Sequence, residues 1–292
     1  IFCYSPGICA LRSGRLIGSL DLMGKGAAKL EGAALLMGKS PCLGKVFLSD
    51  DGGMHWRFAV NFPFIFARPF EAGGALYLLG CNGDIVIMRS DDEGETWSDP
   101  VRLTEGMHWH QAPSNVCYAN GNIYLVMERV MYEDCRGWEV STLAPVLMRA
   151  KLTDDLTNPE SWDYATPVAF CDLVDRNRLY GVAIPFYETR DKEPVQVCGG
   201  AHPRCCAPIG WLETNVVHFE DPSHIWCDES GHTFHLWMRA HTGGTGYAAI
   251  LRVVERPDGS METMPVQAPS GRDVFFVPCP GGQMKFHILY DD

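Results

Sequence analysis

Glu128 and Glu213 are the two carboxylates whose sequence surroundings suit acid–base work. Glu128 ends the apolar run Tyr124-Leu125-Val126-Met127, which would desolvate it, and Glu213 lies between Trp211 and Asn215. A carboxyl group whose pKa is raised by burial donates a proton to a leaving oxygen, while a second, ionised carboxylate acts as nucleophile or base. Two such groups flanking a glycosidic bond are the common equipment of a glycosidase. His108 and His110 add groups that titrate near neutrality, suited to abstracting a proton from a uronic acid, the chemistry of a lyase. Arg68, Arg129 and Arg239 carry planar guanidinium forks that match a carboxylate. Cys198, His202, Cys205 and Cys206 have the residue types for zinc, but adjacent cysteines seldom both reach one tetrahedral ion. A proline-rich loop with partly buried thiols is the plainer reading, and no metal or cofactor is expected.

Composition narrows the partners. The chain has 292 residues, 24 Lys plus Arg against 36 Asp plus Glu, and a formal net charge of −12, which argues against a nucleic-acid or anionic-membrane surface. No run approaches the length of a membrane-spanning helix, so membrane insertion is not expected either. With 46% hydrophobic residues the chain can bury a large core without metal or disulfides. The 12 cysteines are scattered, without the regular spacing of a small disulfide scaffold, and point to free thiols in a reducing, cytoplasmic setting. The opening Ile1-Phe2-Cys3-Tyr4-Ser5-Pro6 has neither initiator Met nor signal run, so a trimmed leader and secretion stay open.

The elements that must position these side chains are almost all strands. Short segments rich in Val, Ile, Leu, Phe, Tyr and Trp are punctuated by hairpin turns: Arg12-Ser13-Gly14-Arg15, Asp50 to Gly53, Glu71 to Gly74, Asp91 to Gly94 and Ala119 to Asn122. The pattern continues with turns around Thr153 to Asp155, at Asp228 to Gly231 and at Pro257 to Ser260, placing a strand over His224 and its neighbours. A fifth unit starts at Val274, turns at Pro280-Gly281-Gly282 and stops at Leu289. Four-stranded units near 40 residues predict an all-β fold, a β-propeller of four-stranded antiparallel blades, five or six in number with the last incomplete. Residues 1–292 form one domain in this reading, with 171–209 as a loop inserted on one face.

Two turns share a motif. Ser90-Asp91-Asp92-Glu93-Gly94-Glu95-Thr96-Trp97 fits Ser-x-Asp-x-Gly-x-Thr-Trp at every fixed position, and Ser49 to Trp56, 41 residues earlier, fits all but one, with His55 in the Thr place. A looser copy spans Thr153 to Trp162. The Asp accepts N–H bonds inside the turn, the Gly supplies positive φ and the Trp packs between strands. The paired motifs resemble the Asp-boxes of the sialidase (neuraminidase) superfamily, also called BNR repeats, and the resemblance covers most of residues 1 to 165. It implies a propeller whose boxes mark the back face, Trp56 and Trp97 buried at equivalent positions, and a site on the opposite face.

That geometry selects innermost-strand entries and second-strand exits: Asp21 and Lys25; Arg68 and Asp84; His108, His110, Glu128 and Arg129; Glu213, Asn215, Arg239 and His241. Glu128, Glu213 and His110 are expected to be catalytic. Arg68, Asp84, Arg129, Trp211, Asn215, Arg239 and His241 are expected to bind substrate, and Arg68, Glu128, Glu213 and Arg239 to face one cavity. The family's Arg-Ile-Pro place reads Tyr4-Ser5-Pro6-Gly7-Ile8 here, and the nearest similar string is Phe66-Ala67-Arg68-Pro69. Between Asp21 and Ser49 the one carboxylate is Glu31, and a late nucleophilic Tyr is not reached. These departures weaken sialic acid more than glycoside chemistry at large. The resemblance therefore implies a glycoside hydrolase acting on a terminal acidic sugar, sialic or uronic, of a glycan. A histidine lyase and a non-catalytic carbohydrate-binding propeller using Trp109 and Trp211 are the rivals.

Overall fold

Alternation of β-branched and aromatic residues with polar ones, broken every eight to ten residues by a Gly- or Asp-rich turn, produces a chain of antiparallel strands. The computed structural model describes residues 1–110, 114–133, 139–173, 210–241, 247–279 and 285–289. Cys198, His202, Cys205 and Cys206, and nearly all of the expected insertion, lie outside them. Among the described residues helix is confined to short turns, and no helix is long and apolar enough to cross a membrane. No group of His, Cys, Asp or Glu among them is arranged to hold a metal ion.

The chain divides into two units, Ile1–Pro113 with Ala150–Trp162, and Ser114–Arg149 with Asp163–Asp292. In the first unit, β1 (Phe2–Ala10), β2 (Leu16–Met23), β4 (Ser40–Ser49) and β5 (Arg57–Phe62) make one antiparallel sheet. A 3-10 turn at Lys25–Lys29 and the short β3 (Ala34–Leu36) are inserted between β2 and β4, which the hairpin spacing does not reveal. A second sheet runs β6 (Ile65–Ala72), β7 (Ala75–Asn82), β8 (Asp84–Ser90), β9 (Val101–Arg102). Ile17, Val46, Leu48, Phe62, Phe64, Ala67, Leu76 and Leu78 form the core between these sheets. Gly44 is required there because a Cβ on it would fall inside the Phe62 ring.

Both motif turns close through the same bonds. Ser49 Oγ donates to Asp51 Oδ1 at 2.9 Å, Gly53 N–H to Ser49 Oγ at 2.9 Å, His55 N–H to Asp51 Oδ1 at 2.9 Å and Trp56 Nε1–H to Gly53 O at 2.9 Å. Ser90, Asp92, Gly94, Thr96 and Trp97 repeat this at 2.8 to 3.0 Å, and Thr96 Oγ1 donates to Asp92 Oδ2 where His55 Nδ1 meets Asp51 Oδ2. These bonds, led by that of the Thr96 hydroxyl, pull the Asp92 carboxyl down to about 2. At the looser copy, Thr157 N–H and Oγ donate to Asp155 Oδ1 and Trp162 Nε1–H to Leu156 O. The expectation that both box tryptophans are buried is corrected. Trp97 packs against the core, but Trp56 is 42% exposed, its indole lying over Gly18 on the other side of the first sheet. No second sheet covers that side among the described residues of this unit.

In the second unit, β11 (Cys117–Ala119) pairs with β12 (Asn122–Val130), β12 with β13 (Leu143–Lys151), and β13 with β14 (Asp163–Tyr164). The next sheet runs β15 (Gly210–Val217), β16 (Thr233–His241), β17 (Tyr247–Glu255), β18 (Met261–Met264). The strand expected at His224 is therefore misplaced. Residues 218–232 are the connection, and its Phe219, His224 and Trp226 form an aromatic cluster with His235 and Trp237 of β16 rather than pairing as a strand. The expected fifth unit also differs. β19 (Val266–Gln267) and β20 (Asp273–Val274) form a small hairpin, and β21 (Phe276–Pro278) adds to the edge of β17.

Candidate functional site

The first strands of three sheets share one irregularity. The register breaks between Tyr4 and Gly7 in β1, Ile65 and Arg68 in β6, and Leu212 and Asn215 in β15. At each break a non-glycine residue takes a left-handed backbone: Ser5 (φ 45°), Phe66 (φ 58°) and Glu213 (φ 61°). A left-handed conformation costs an L-residue about 1–2 kcal/mol, and bulges of this kind re-aim side chains. The surroundings must therefore over-determine it.

At β15 they do. Glu213 and Arg239 form a largely buried ion pair: Arg239 Nη2 donates to Glu213 Oε1 at 3.1 Å and Nε lies 2.8 Å from Oε2, with side chains only 17% and 11% exposed for Arg239 and Glu213. Glu128, fully buried on β12, accepts from Thr214 N–H at 3.0 Å and from Thr214 Oγ at 2.9 Å, both on Oε1. Two glutamates are thus brought to one bulge, one paired to a guanidinium and the other bonded to the next residue along. The bulge is pinned from the segment leading into β11: Ser114 Oγ donates to Thr214 O at 2.5 Å, and Asn115 bridges Val216, its Oδ1 accepting from Val216 N–H at 2.8 Å and its Nδ2–H donating to Val216 O at 2.6 Å. Two carboxylates held in a largely desolvated bulge, one of them fixed by an arginine, can move protons at a bound substrate.

Several expected roles are corrected. Trp211 is wholly buried in the core, with its Nε1–H bonded to Leu143 O at 2.7 Å, so it offers no stacking platform. Asn215 is also buried. Its Oδ1 accepts from Ile288 N–H at 3.0 Å and its Nδ2 donates to Phe286 O at 3.1 Å, which clamps residues 286–288 beside β15. Arg239 spends its fork on Glu213 rather than presenting it to a substrate. Arg129 is half-buried at the end of β12 and makes no hydrogen bond or ion pair among the described residues. His241 ends β16 opposite Gly210.

Arg68, Asp84 and His110 belong to the other unit. Arg68 is 3% exposed, at the bulge where Asp21, fully buried, accepts from Phe66 N–H at 2.8 Å. Asp84 organises its own loop, accepting from Thr104 Oγ, Gly106 N–H and Met107 N–H at 3.0 to 3.1 Å, which fills its oxygens and corrects its assignment to substrate. His110 lies against the Phe66 ring, 4.8 Å between centroids. Trp109 is buried, not a platform, and Lys25 is exposed.

Thr214 is the residue that sequence reasoning missed. No glycine or proline marks the bulge, and a threonine within an apolar strand carries no signal of its own.

No family model and no curated protein matches the chain. Among solved structures it is similar to an alpha-L-arabinofuranosidase from Lactobacillus brevis, at 14% identity over 89% of this chain and 74% of that one, with a TM-score of 0.48. An alpha-L-arabinofuranosidase of Fusarium graminearum in complex with arabinobiose matches at 10% identity over 93% of this chain and 68% of that one, with a TM-score of 0.46. The NanB sialidase from Streptococcus pneumoniae matches at 16% identity over 82% of this chain, with a TM-score of 0.42, and the match covers 28% of that longer protein.

Proposed function

We propose that this chain is a carbohydrate-active enzyme on a sialidase-like β-propeller of five or six blades, and that it hydrolyses the bond to a terminal sugar of a glycan. The observation that carries the reading is Glu213, held in a left-handed backbone and gripped by Arg239 next to Glu128. Backbone strain retained at a buried carboxylate is characteristic of functional sites. The two Asp-boxes, closed by matching bonds, support the superfamily resemblance on which the propeller rests.

In this mechanism Glu128 donates the proton to the leaving oxygen, and Glu213, kept as a carboxylate by Arg239, attacks the anomeric carbon or activates water. Arg239 is a positioning residue. If the sugar is acidic, its carboxylate meets Arg129, whose fork is unused among the described residues. The burial of Trp211 removes the aromatic platform that a purely sugar-binding module would use, which favours chemistry over binding.

The test is a panel of glycans ending in sialyl, uronyl and neutral sugars, with released monosaccharide measured for the wild-type chain. Release that disappears in Glu213→Gln supports the proposal. Binding of a glycan without any release would reassign the protein to recognition.

A further inference from the structure

We propose that the second unit carries a carboxylate-binding site, separate from the Glu128–Glu213 bulge, formed by Trp226, His235, Trp237 and Arg252. The strand pattern puts three of these on one sheet face: His235 and Trp237 are two residues apart on β16, and the register sets Arg252 of β17 opposite His235. The other face of the same strands, with Phe234, Leu236, Met238, Leu251 and Val253, belongs to the core. Trp226 comes from the 218–232 connection. It stacks on the His235 ring, 5.6 Å between centroids and 21° between planes, and meets Trp237 edge to face at 6.2 Å and 64°. Its backbone N–H donates to His224 Nδ1 at 3.2 Å, which fixes it there.

Each of the four brings a buried nitrogen that meets no hydrogen-bond partner among the described residues: Trp226 Nε1, Trp237 Nε1, Arg252 Nε and His235 Nδ1. Buried polar groups are normally paired, so four adjoining orphans call for a common explanation. Elsewhere the chain spends such donors. Trp56, Trp97, Trp162 and Trp211 each give the indole N–H to a backbone carbonyl. Arg15, Arg89, Arg149 and Arg256 each give the Nε–H to a carboxylate. The cluster cannot satisfy itself, because indole and guanidinium N–H groups only donate. Burial, and then the neighbouring Arg252, keep the His235 ring neutral at pH 7, which leaves it one acceptor nitrogen against three donors. The charge of Arg252 excludes a cation. A carboxylate answers both demands, with about four lone-pair sites in one plane and a negative charge to set against the guanidinium. His235, 2% exposed, forms the floor, while Trp226, Trp237 and Arg252 are half-buried and bring the cluster's edge to solvent.

The experiment follows the indole N–H signals of the full chain by 15N-edited NMR, assigned with Trp226→Phe and Trp237→Phe. Sodium acetate and sodium glucuronate are titrated separately against sodium chloride at matched ionic strength. The expected result is a saturable shift at Trp226 and Trp237 with a carboxylate, no such shift at Trp56 or Trp97, and binding weakened at least about tenfold in Arg252→Gln. Equal affinity for the two salts identifies a small free acid as the ligand, and tighter binding of glucuronate identifies the acid group of a sugar. Shifts that do not saturate with either carboxylate, or that chloride reproduces, overturn the proposal and leave bridging water as the partner of these donors. So does wild-type affinity in Arg252→Gln with the Trp211 signal in its native place. Trp237→Phe keeps an aromatic ring but lacks the N–H, so it repeats the test without touching the charge, and undiminished acetate binding in that variant would equally overturn the site.

Discussion

Glu213 and Arg239 meet across β15 and β16, Arg239 Nη2 donating to Glu213 Oε1 at 3.1 Å and Nε lying 2.8 Å from Oε2, although the strand register pairs Arg239 with Leu212. The bulge displaces Glu213 from the ladder and turns its carboxylate onto the guanidinium. Arg239→Lys keeps the charge but replaces the planar guanidinium by a single ammonium that cannot reach both carboxylate oxygens in the same way. Turnover is expected to fall about 10- to 100-fold with a small change in Tm, measured as kcat on a released sugar beside a thermal melt. Arg239→Met removes the guanidinium from a largely buried carboxylate and is expected to cost about 3 kcal/mol in urea unfolding.

Acid should destabilise the second unit through two groups. Burial, reinforced by Arg252, His224 and His218, pushes His235 down to about 3. The unfolded chain, with its histidine near 6.5, binds the extra proton first, so stability is lost as pH falls from about 6.5 towards 3, with a slope near 1.4 kcal/mol per pH unit. His235→Phe is expected to flatten that part of the profile in urea titrations at pH 7, 6 and 5.

Glu255 acts lower on the scale. Its burial works against ionisation, but bonds from His232, Arg149 and Tyr124 outweigh it and hold the carboxyl below the usual carboxylate range. A depressed carboxyl contributes stability above its unfolded value, lost as pH falls through the folded one. Glu255→Gln should therefore lower stability at pH 7 and remove the corresponding decline below about pH 4.5, read from the same titrations.

Replacing Gly44 with Ala drives a methyl into the Phe62 ring, and the cost should be about 1–3 kcal/mol or more. Phe62→Leu in the same chain should recover part of it. Denaturant unfolding of the two single variants and the double variant checks this, and simple additivity would mean that the two side chains do not clash.

His55→Thr in the first of the two motif turns should raise Tm slightly. It restores the hydroxyl-to-Asp bond seen at Thr96 and removes a ring that is 86% exposed and gains little from packing. Asp92→Ala should lower Tm and leave glycan release unchanged, because the box shapes a turn and takes no part in the proposed chemistry.

Most hairpins and both Ser-x-Asp-x-Gly turns were legible in the sequence because their turn residues have local reasons to be where they are. Asp92 and Gly94 announce their bonds and backbone angles through residue type alone. The bulges were not legible, since Ser5, Phe66 and Glu213 take left-handed angles that only their neighbours in space enforce. The segment from His224 looked like a strand because Ile225 and Trp226 are strand-favouring residues, whereas Trp226 here packs with Phe219 and His224 inside the connection. Trp211 looked like a sugar platform for want of any sequence sign that Leu143 O receives its indole N–H. Glu128 and Glu213 were singled out together, but the residue that connects them, Thr214, became visible only with the bulge.

The proposed mechanism stands or falls on Glu128. Glu128→Gln keeps the side chain's shape and can still accept from Thr214, but it has no proton to give. On a glycoside that the wild-type chain cleaves, kcat is predicted to fall by about 100-fold or more while ligand binding is retained. Unchanged turnover, accompanied by reduced stability, would make Glu128 a clamp for the β15 bulge and contradict the mechanism.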